Sequence, residues 1–181
     1  MIQLAFICEG KTERNFVEYV IAPYLKTKGI ESIASEIGQE YLHPGGNVSL
    51  ARIERDVENH LQNCDYVTTI VDFYGMAADW KKLCDEIPRG TSSAEKACLA
   101  ESVALTHAVQ TIQLPGVNIA MRFIPNVLMH EFEGLLFTSP DCIAKITRSA
   151  NRSLPILQRI ASEFPTLKTS ILDATPRLQN V

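Results

Sequence analysis

Nowhere does this 181-residue chain offer an apolar run approaching the ~18 residues that a membrane-spanning helix requires. Its first apolar run, Ile2–Cys8, follows no basic stretch and is interrupted by Gln3, so it does not read as a secretory signal. The five cysteines (Cys8, Cys64, Cys84, Cys98, Cys142) are odd in number, and no two are spaced as Cys-x-x-Cys. That excludes a simple disulfide framework, and Cys8 and Cys98 fall in apolar patterns as small core residues. A reducing cytoplasm is the expected location. Basic charge is not in excess either: the net charge is −4, so the chain as a whole does not advertise nucleic-acid binding. Internal repeats and low-complexity segments are lacking.

What is present is apolar material, 46% of the residues, enough for one domain with a substantial core. Charge is distributed unevenly. Residues 1–133 hold 18 acidic and 11 basic side chains, which leaves 3 acidic and 6 basic for residues 134–181. An acidic body is followed by a mildly basic tail.

The apolar patterning alternates strands with helices. Ile2–Cys8 reads as a buried strand, Gly10 allows a tight exit, and Thr12 is a suitable N-cap for a helix starting near Glu13. Pro23 is expected to kink that helix or end it early. A weak strand is predicted near 32–37, a loop at His43-Pro44-Gly45-Gly46-Asn47, and an amphipathic helix over 49–62. In that helix Glu54, Arg55 and Glu58 read as a solvated face. Tyr66–Val71 is the clearest strand and ends at Asp72. Residues 75–92 read as irregular. Ser92 or Ser93 then caps a long helix to about Ile112, with Ala94, Ala97, Cys98, Leu105, Ala108 and Ile112 as its apolar stripe. Val117–Ile124 is the next predicted strand, and a single tail helix is predicted over 154–164. This order implies an α/β fold: a mainly parallel sheet flanked by helices on both faces.

Acids gather at three of the loop positions: Glu9 and Glu13 after the first strand, Asp72 after the third, and Glu131 and Glu133 beside His130. Acids at the C-terminal ends of parallel strands converge on one edge of the sheet, where open α/β folds build their sites. Carboxylate oxygens so placed are the usual ligands of Mg²⁺ or Mn²⁺. Glu13 also has an ordinary role open to it, as a complement to the helix dipole. Asp72 could cap the following turn, and Tyr74 could bond a ligand or join the core. Leu128, Phe132, Leu135 and Leu136 fall at i, i+4, i+7 and i+8, so a helix is predicted to open here, with His130, Glu131 and Glu133 flanking Phe132 of its apolar stripe. His43, His60 and His107 read as surface groups. Gly45-Gly46 suits either a phosphate approach or a plain turn. A rival arises at Gly10-Lys11-Thr12, the end of a phosphate-binding loop, but that motif needs a glycine where Ala5 stands. A degenerate nucleotide-binding P-loop is therefore the weakest reading.

Glu9-Gly10-x-Thr12-Glu13, the Gly-Gly loop, Asp72-Phe73-Tyr74-Gly75 and the stretch Phe123 to Phe137, with its His130-Glu131-Phe132-Glu133 core, resemble the bacterial DUF4276 family. That family is regarded as Toprim-like, and the resemblance covers roughly residues 2–140. It implies a Toprim-like domain over 1–140, with 141–181 a mildly basic helical extension of the same domain. Toprim domains occur in topoisomerases, primases and nucleases of the OLD type, and hold divalent metal on acids after the first and a later strand. By position, the resemblance implies Glu9, Glu13 and Asp72 as catalytic and metal residues, with Glu131 or Glu133 supplying a further ligand. Tyr74 stands where a typical Toprim site has a second aspartate. The family also continues into a segment rich in Pro, Ser, Lys and Arg that residues 173–178 echo weakly, which leaves truncation of this sequence open.

The expectation is a Mg²⁺- or Mn²⁺-dependent phosphodiesterase, a nuclease, with Lys11, Tyr74, His130, Lys145, Arg148 and Arg152 contacting a nucleic acid. An ATPase partner is implied by the OLD type. The alternative is a non-catalytic Toprim-like subunit that docks on or regulates an ATPase.

Overall fold

The computed structural model describes residues 1–38, 48–84, 91–129, 139–146 and 150–163. They fall in two compact units, Met1–Leu128 and Met129–Val181. The first holds β1 (Ile2–Cys8), α1 (Lys11–Phe16), a π-helical turn (Val17–Ile21), α2 (Ala22–Lys26), β2 (Ile30–Glu36) and α3 (Leu50–Leu61). It continues with β3 (Tyr66–Asp72), α4 (Ala78–Cys84), α5 (Ser93–Thr111), α6 (Ile119–Arg122), β4 (Phe123–Ile124) and β5 (Val127–Leu128). The second unit contributes α7 (Pro140–Ile146) and α8 (Ala150–Glu163), which pack on each other.

All the strand pairs among the described residues are parallel. The order is β2-β1-β3-β4, with β5 also on β3. The chain steps from β1 to β2 in one direction, then back past β1 to β3. Right-handed crossovers running in opposite directions put their helices on opposite faces of the sheet. Burial agrees with this, since consecutive residues Ala5, Phe6, Ile7 and Cys8 point alternately to the two faces and all are buried. On one face Ala5, Ile7, Val67 and Val71 join a cluster with Ile53 and Val57 of α3 and Ala100, Ala104 and Ala108 of α5. On the other, α1 and the helical segment after it lie against β1 and β2.

The Pro23 expectation is modified. The helical run from Lys11 continues to Lys26, and the break takes the form of the π turn, where Ala22 N–H bonds Val17 C=O. The wider turn lets Pro23 fall in the first turn of a new α segment, where its missing N–H is not needed. The N-cap of α1 is Gly10, two residues before the expected Thr12.

Three further expectations are corrected. Residues Ala78–Cys84 form a helix instead of an irregular stretch. Its Trp80 is fully buried and donates its indole N–H to Ala100 O at 3.1 Å, and the small residues of α5 leave room for the ring. The stripe of α5 accordingly runs through Ala97, Ala100, Ala104 and Ala108, while Ala94 is exposed. The tail contains a second helix, α7, besides the predicted one.

The predicted strand 117–124 shrinks to Phe123–Ile124. Gly116 turns at φ 77°, and Asn118 caps the short helix α6. That helical turn buries Ile119 and sends Arg122 to the C-terminal end of α3. There its Nε donates to Asp65 O at 2.7 Å and its Nη2 to the carbonyls of Leu61 and Cys64. A cation on the last carbonyls of a helix is favoured by the dipole. Nor is Glu54 merely solvated. It accepts from Thr111 Oγ1 at 2.8 Å and pairs with His107, tying α3 to α5, while His60 is hydrogen-bonded to Ser35 Oγ at 2.8 Å.

Between β4 and β5 the backbone leaves the ladder at Pro125-Asn126, since proline brings no N–H. Buried Thr69 fills the gap, with Oγ1 donating to Asn126 O and accepting from Asn126 N, both at 2.8 Å. Thr69→Val keeps the shape and strips both bonds. It should cost about 1–3 kcal/mol in urea unfolding with the m-value unchanged.

Candidate metal centre at the sheet edge

In a sheet ordered 2-1-3, the crevice between the C-terminal ends of β1 and β3 is the topological switch point. Glu9 follows the last residue of β1 and Asp72 is the last of β3, so both acids reach that crevice.

They meet through a modification of the ladder itself. Glu9 N–H donates to Ile70 O at 3.0 Å. In a parallel ladder the next rung would run from Asp72 N–H to the Glu9 carbonyl. Instead that amide donates to the Glu9 carboxylate, Oε2, at 2.8 Å. The Glu9 side chain thereby ends the β1–β3 pairing and lies along the sheet edge. Asp72 itself is buried, with 8% of its surface exposed.

The turn after Asp72 is held on three sides. Gly75 N donates to Asp72 O at 3.1 Å and closes the turn, and Phe73 N donates to Leu128 O at 2.7 Å. Beyond it, Met76 bridges Val48, and Ala77 N donates to Val48 O at 2.9 Å. Val48 directly precedes Ser49, the N-cap whose hydroxyl accepts from Arg52 N. The floor of the crevice is thus anchored to β5 and to the start of α3.

Glu13 takes the cap role. As the third residue of α1 it accepts from Gly10 N–H at 3.0 Å, and with no side chain at Gly10 this is the single side-chain half of a capping box. Lys11 is exposed on the first turn of α1, and Tyr74 is 59% exposed at the tip of the turn. Lys145 is exposed on α7 of the second unit. His130, Glu131, Glu133 and Arg148 lie outside the described residues, as does the side chain of Arg152 on α8. Among the described residues no group of three or more His, Cys, Asp or Glu is arranged to hold a metal. Glu9 and Asp72 stand at the strand ends that flank the switch point, and carboxylate oxygens are the donor type that suits a hard cation.

Three features around the crevice escape sequence reasoning. Arg14 of α1 pairs with Glu36, the last residue of β2, at 3.0 Å and with Glu18 at 3.5 Å. Arg52 Nη2 donates to Ile37 O at 3.0 Å, and buried Asp56 accepts from Gly38 N at 2.7 Å, so α3 fixes the exit from β2. Gly75 lies directly against the Glu9 carboxylate. The apolar periodicity of α3 would flag Asp56 only as a polar residue next to Val57. The other contacts depend on pairs distant in sequence.

The family model for a domain of unknown function, DUF4276, matches residues 8–166. The chain belongs to the DUF4276 family. The match includes Glu9, Glu13, Asp72 and the His130–Glu133 segment. No curated protein and no solved structure matches the chain.

Cys8, immediately before Glu9, is no nucleophile. Burial pushes its thiol up to about 12, with Glu13 adding to the rise, Arg14 opposing it, and Glu18 and Glu36 contributing further. At pH 8 a group titrating at about 12 is ionised in only about one molecule in 10⁴. Iodoacetamide should therefore label exposed Cys142 in the native protein and reach Cys8 only after unfolding, as read by peptide mass mapping.

Proposed function

We propose that this DUF4276 chain is a divalent-metal-dependent phosphodiesterase acting on nucleic acid, in the manner of Toprim-like nucleases. The observation that carries the reading is the convergence of Glu9 and Asp72 on the switch point between β1 and β3. Open α/β folds bind ligands in that crevice, and carboxylates are the donors that Mg²⁺ and Mn²⁺ prefer.

In this reading Glu9 and Asp72 hold the ion; the further ligand that the family resemblance assigns to Glu131 or Glu133 falls outside the described residues. A bound divalent ion would supply neutralisation of phosphate charge and acidification of water. The Asp72 amide bonded to Glu9 Oε2 restrains the carboxylate, as the partners of metal ligands commonly do. Glu13 serves as ligand of a second ion or as general base. Lys11, Tyr74 and His130 contact the substrate, and Lys145, Arg148 and Arg152 meet the phosphate backbone. With a net charge of −4 the chain engages nucleic acid weakly by itself, and an ATPase subunit is the partner that the reading calls for.

A second reading has its own support. Glu9 already serves the backbone as the acceptor of Asp72 N–H, and Tyr74 occupies the place of a second acid. A non-catalytic subunit that docks on an ATPase would need no more.

Metal binding separates the two. Under the first reading Mn²⁺ at about 100 times its dissociation constant should stabilise the protein by about 2.7 kcal/mol, seen as a rise in Tm. The purified chain, alone or with an ATPase encoded beside it, should cleave DNA or RNA in Mg²⁺ or Mn²⁺. Glu9→Gln keeps an oxygen for the Asp72 amide, so without metal it should melt near wild type. It should nevertheless lose the Mn²⁺-induced rise, and cleavage should fall by about 100-fold or more. Absence of both the rise and cleavage in the wild type would favour the docking subunit.

A further inference from the structure

Gly75 closes the turn after β3, and turn glycines are commonly explained by backbone conformation. Three other glycines fit that explanation, since Gly29, Gly38 and Gly116 have φ of 78°, 70° and 77°. Gly75 is not among them, and its backbone lies in territory open to residues with a side chain. What sets it apart is crowding without a positive φ; Gly38, where an added Cβ would overlap the Arg52 guanidinium, has both. A Cβ built on Gly75 would overlap Glu9 Oε1, stand 2.9 Å from Oε2 and 3.0 Å from the carboxyl carbon. At Gly29 and Gly116 an added Cβ would meet nothing within 4 Å.

Glu9 has little freedom to give way. Its Oε2 holds the Asp72 amide at 2.8 Å, and its backbone N–H is fixed to Ile70 O at 3.0 Å. The turn is restrained too, through Phe73 N on Leu128 O and Ala77 N on Val48 O. A side chain at position 75 must therefore either lift the carboxylate off the Asp72 amide or pull the turn from its two supports.

We propose that Gly75 is a positioning residue: its missing side chain forms the seat in which the Glu9 carboxylate lies at the end of β3. The seat follows from the geometry alone. Its bearing on a divalent ion rests on the functional reading above, because only there does Glu9 carry metal.

The test is a double-mutant cycle on the full chain without metal, comparing wild type, Gly75→Ala, Glu9→Ala and the double variant by urea unfolding. With Glu9 present, Gly75→Ala should raise the unfolding constant about five-fold or more, the effect of overpacking. In the Glu9→Ala background the same change should be neutral or stabilising, because alanine narrows the unfolded ensemble and meets nothing. Equal effects in the two backgrounds would overturn the proposal. Should Gly75→Ala fail to fold, recovery of folding on adding Glu9→Ala supports the seat, and failure to recover refutes it.

A second measurement follows Mn²⁺ affinity by titration. Gly75→Ala should weaken it about ten-fold or more, and adding Glu9→Asp, whose carboxylate is one methylene shorter, should restore part of the loss. A Gly75→Ala protein that binds Mn²⁺ as wild type does would contradict the seat. If the wild type binds no Mn²⁺, the functional reading falls, and the unfolding cycle alone decides the role of Gly75.

Discussion

Parallel pairing of β1 with β2 on one side and β3 on the other is the constraint from which the remaining architecture follows. Parallel strands need crossovers, and crossovers of a single hand that run in opposite directions must cover opposite faces. The central strand is buried on both sides in consequence, and its C-terminal end lies at the crevice of the switch point. The acids that follow the strands meet there. On the opposite edge Arg122 and Asp65 do the converse work. Arg122 neutralises the end of α3, while Asp65 accepts from Gln3 N at 2.8 Å and starts β1 beside β3.

At the crevice one carboxylate has a clear structural part. By taking the Asp72 amide, Glu9 ends the ladder without leaving a buried donor unpaired. A side-chain oxygen takes the place of the backbone carbonyl as acceptor, so the chain keeps its order where its backbone stops pairing. The same bond limits where the carboxylate can point. Such restraint is what a metal ligand needs, and an amide-capping acid needs it as well. The two uses differ in what happens when the charge is removed and the oxygen kept.

The surroundings stiffen the crevice through contacts between distant segments. Val48 pins the far side of the turn, Leu128 its near side, and α3 holds the exit from β2 through Arg52 and Asp56. These partners are backbone atoms or single polar side chains. None has an apolar period of its own, and each is recognisable only once the strands are in register.

The fold class, the strands 2–8 and 66–72, and the helices α3 and α5, the latter with its serine cap, were legible in the sequence. Strand and helix periods, cap residues and β-branched runs are local properties, and burial on both sheet faces enforces them. Elements were misread where tertiary contacts outvoted the local pattern. Val117–Ile124 has a strand's composition, yet Arg122 is drawn to the end of α3 and the segment coils to reach it. Residues 78–84 show no stripe along the sequence, yet Trp80 fastens them to α5 through its bond to Ala100. For the site, sequence alone determined that Glu9 and Asp72 stand at strand ends. Tertiary structure decided that these ends flank the switch point, that Glu9 spends an oxygen on the Asp72 amide, and that Gly75 leaves room for it. The reason is physical: strand order and cross-strand contact depend on which segments pair, and no local period along the chain encodes a partner more than sixty residues away.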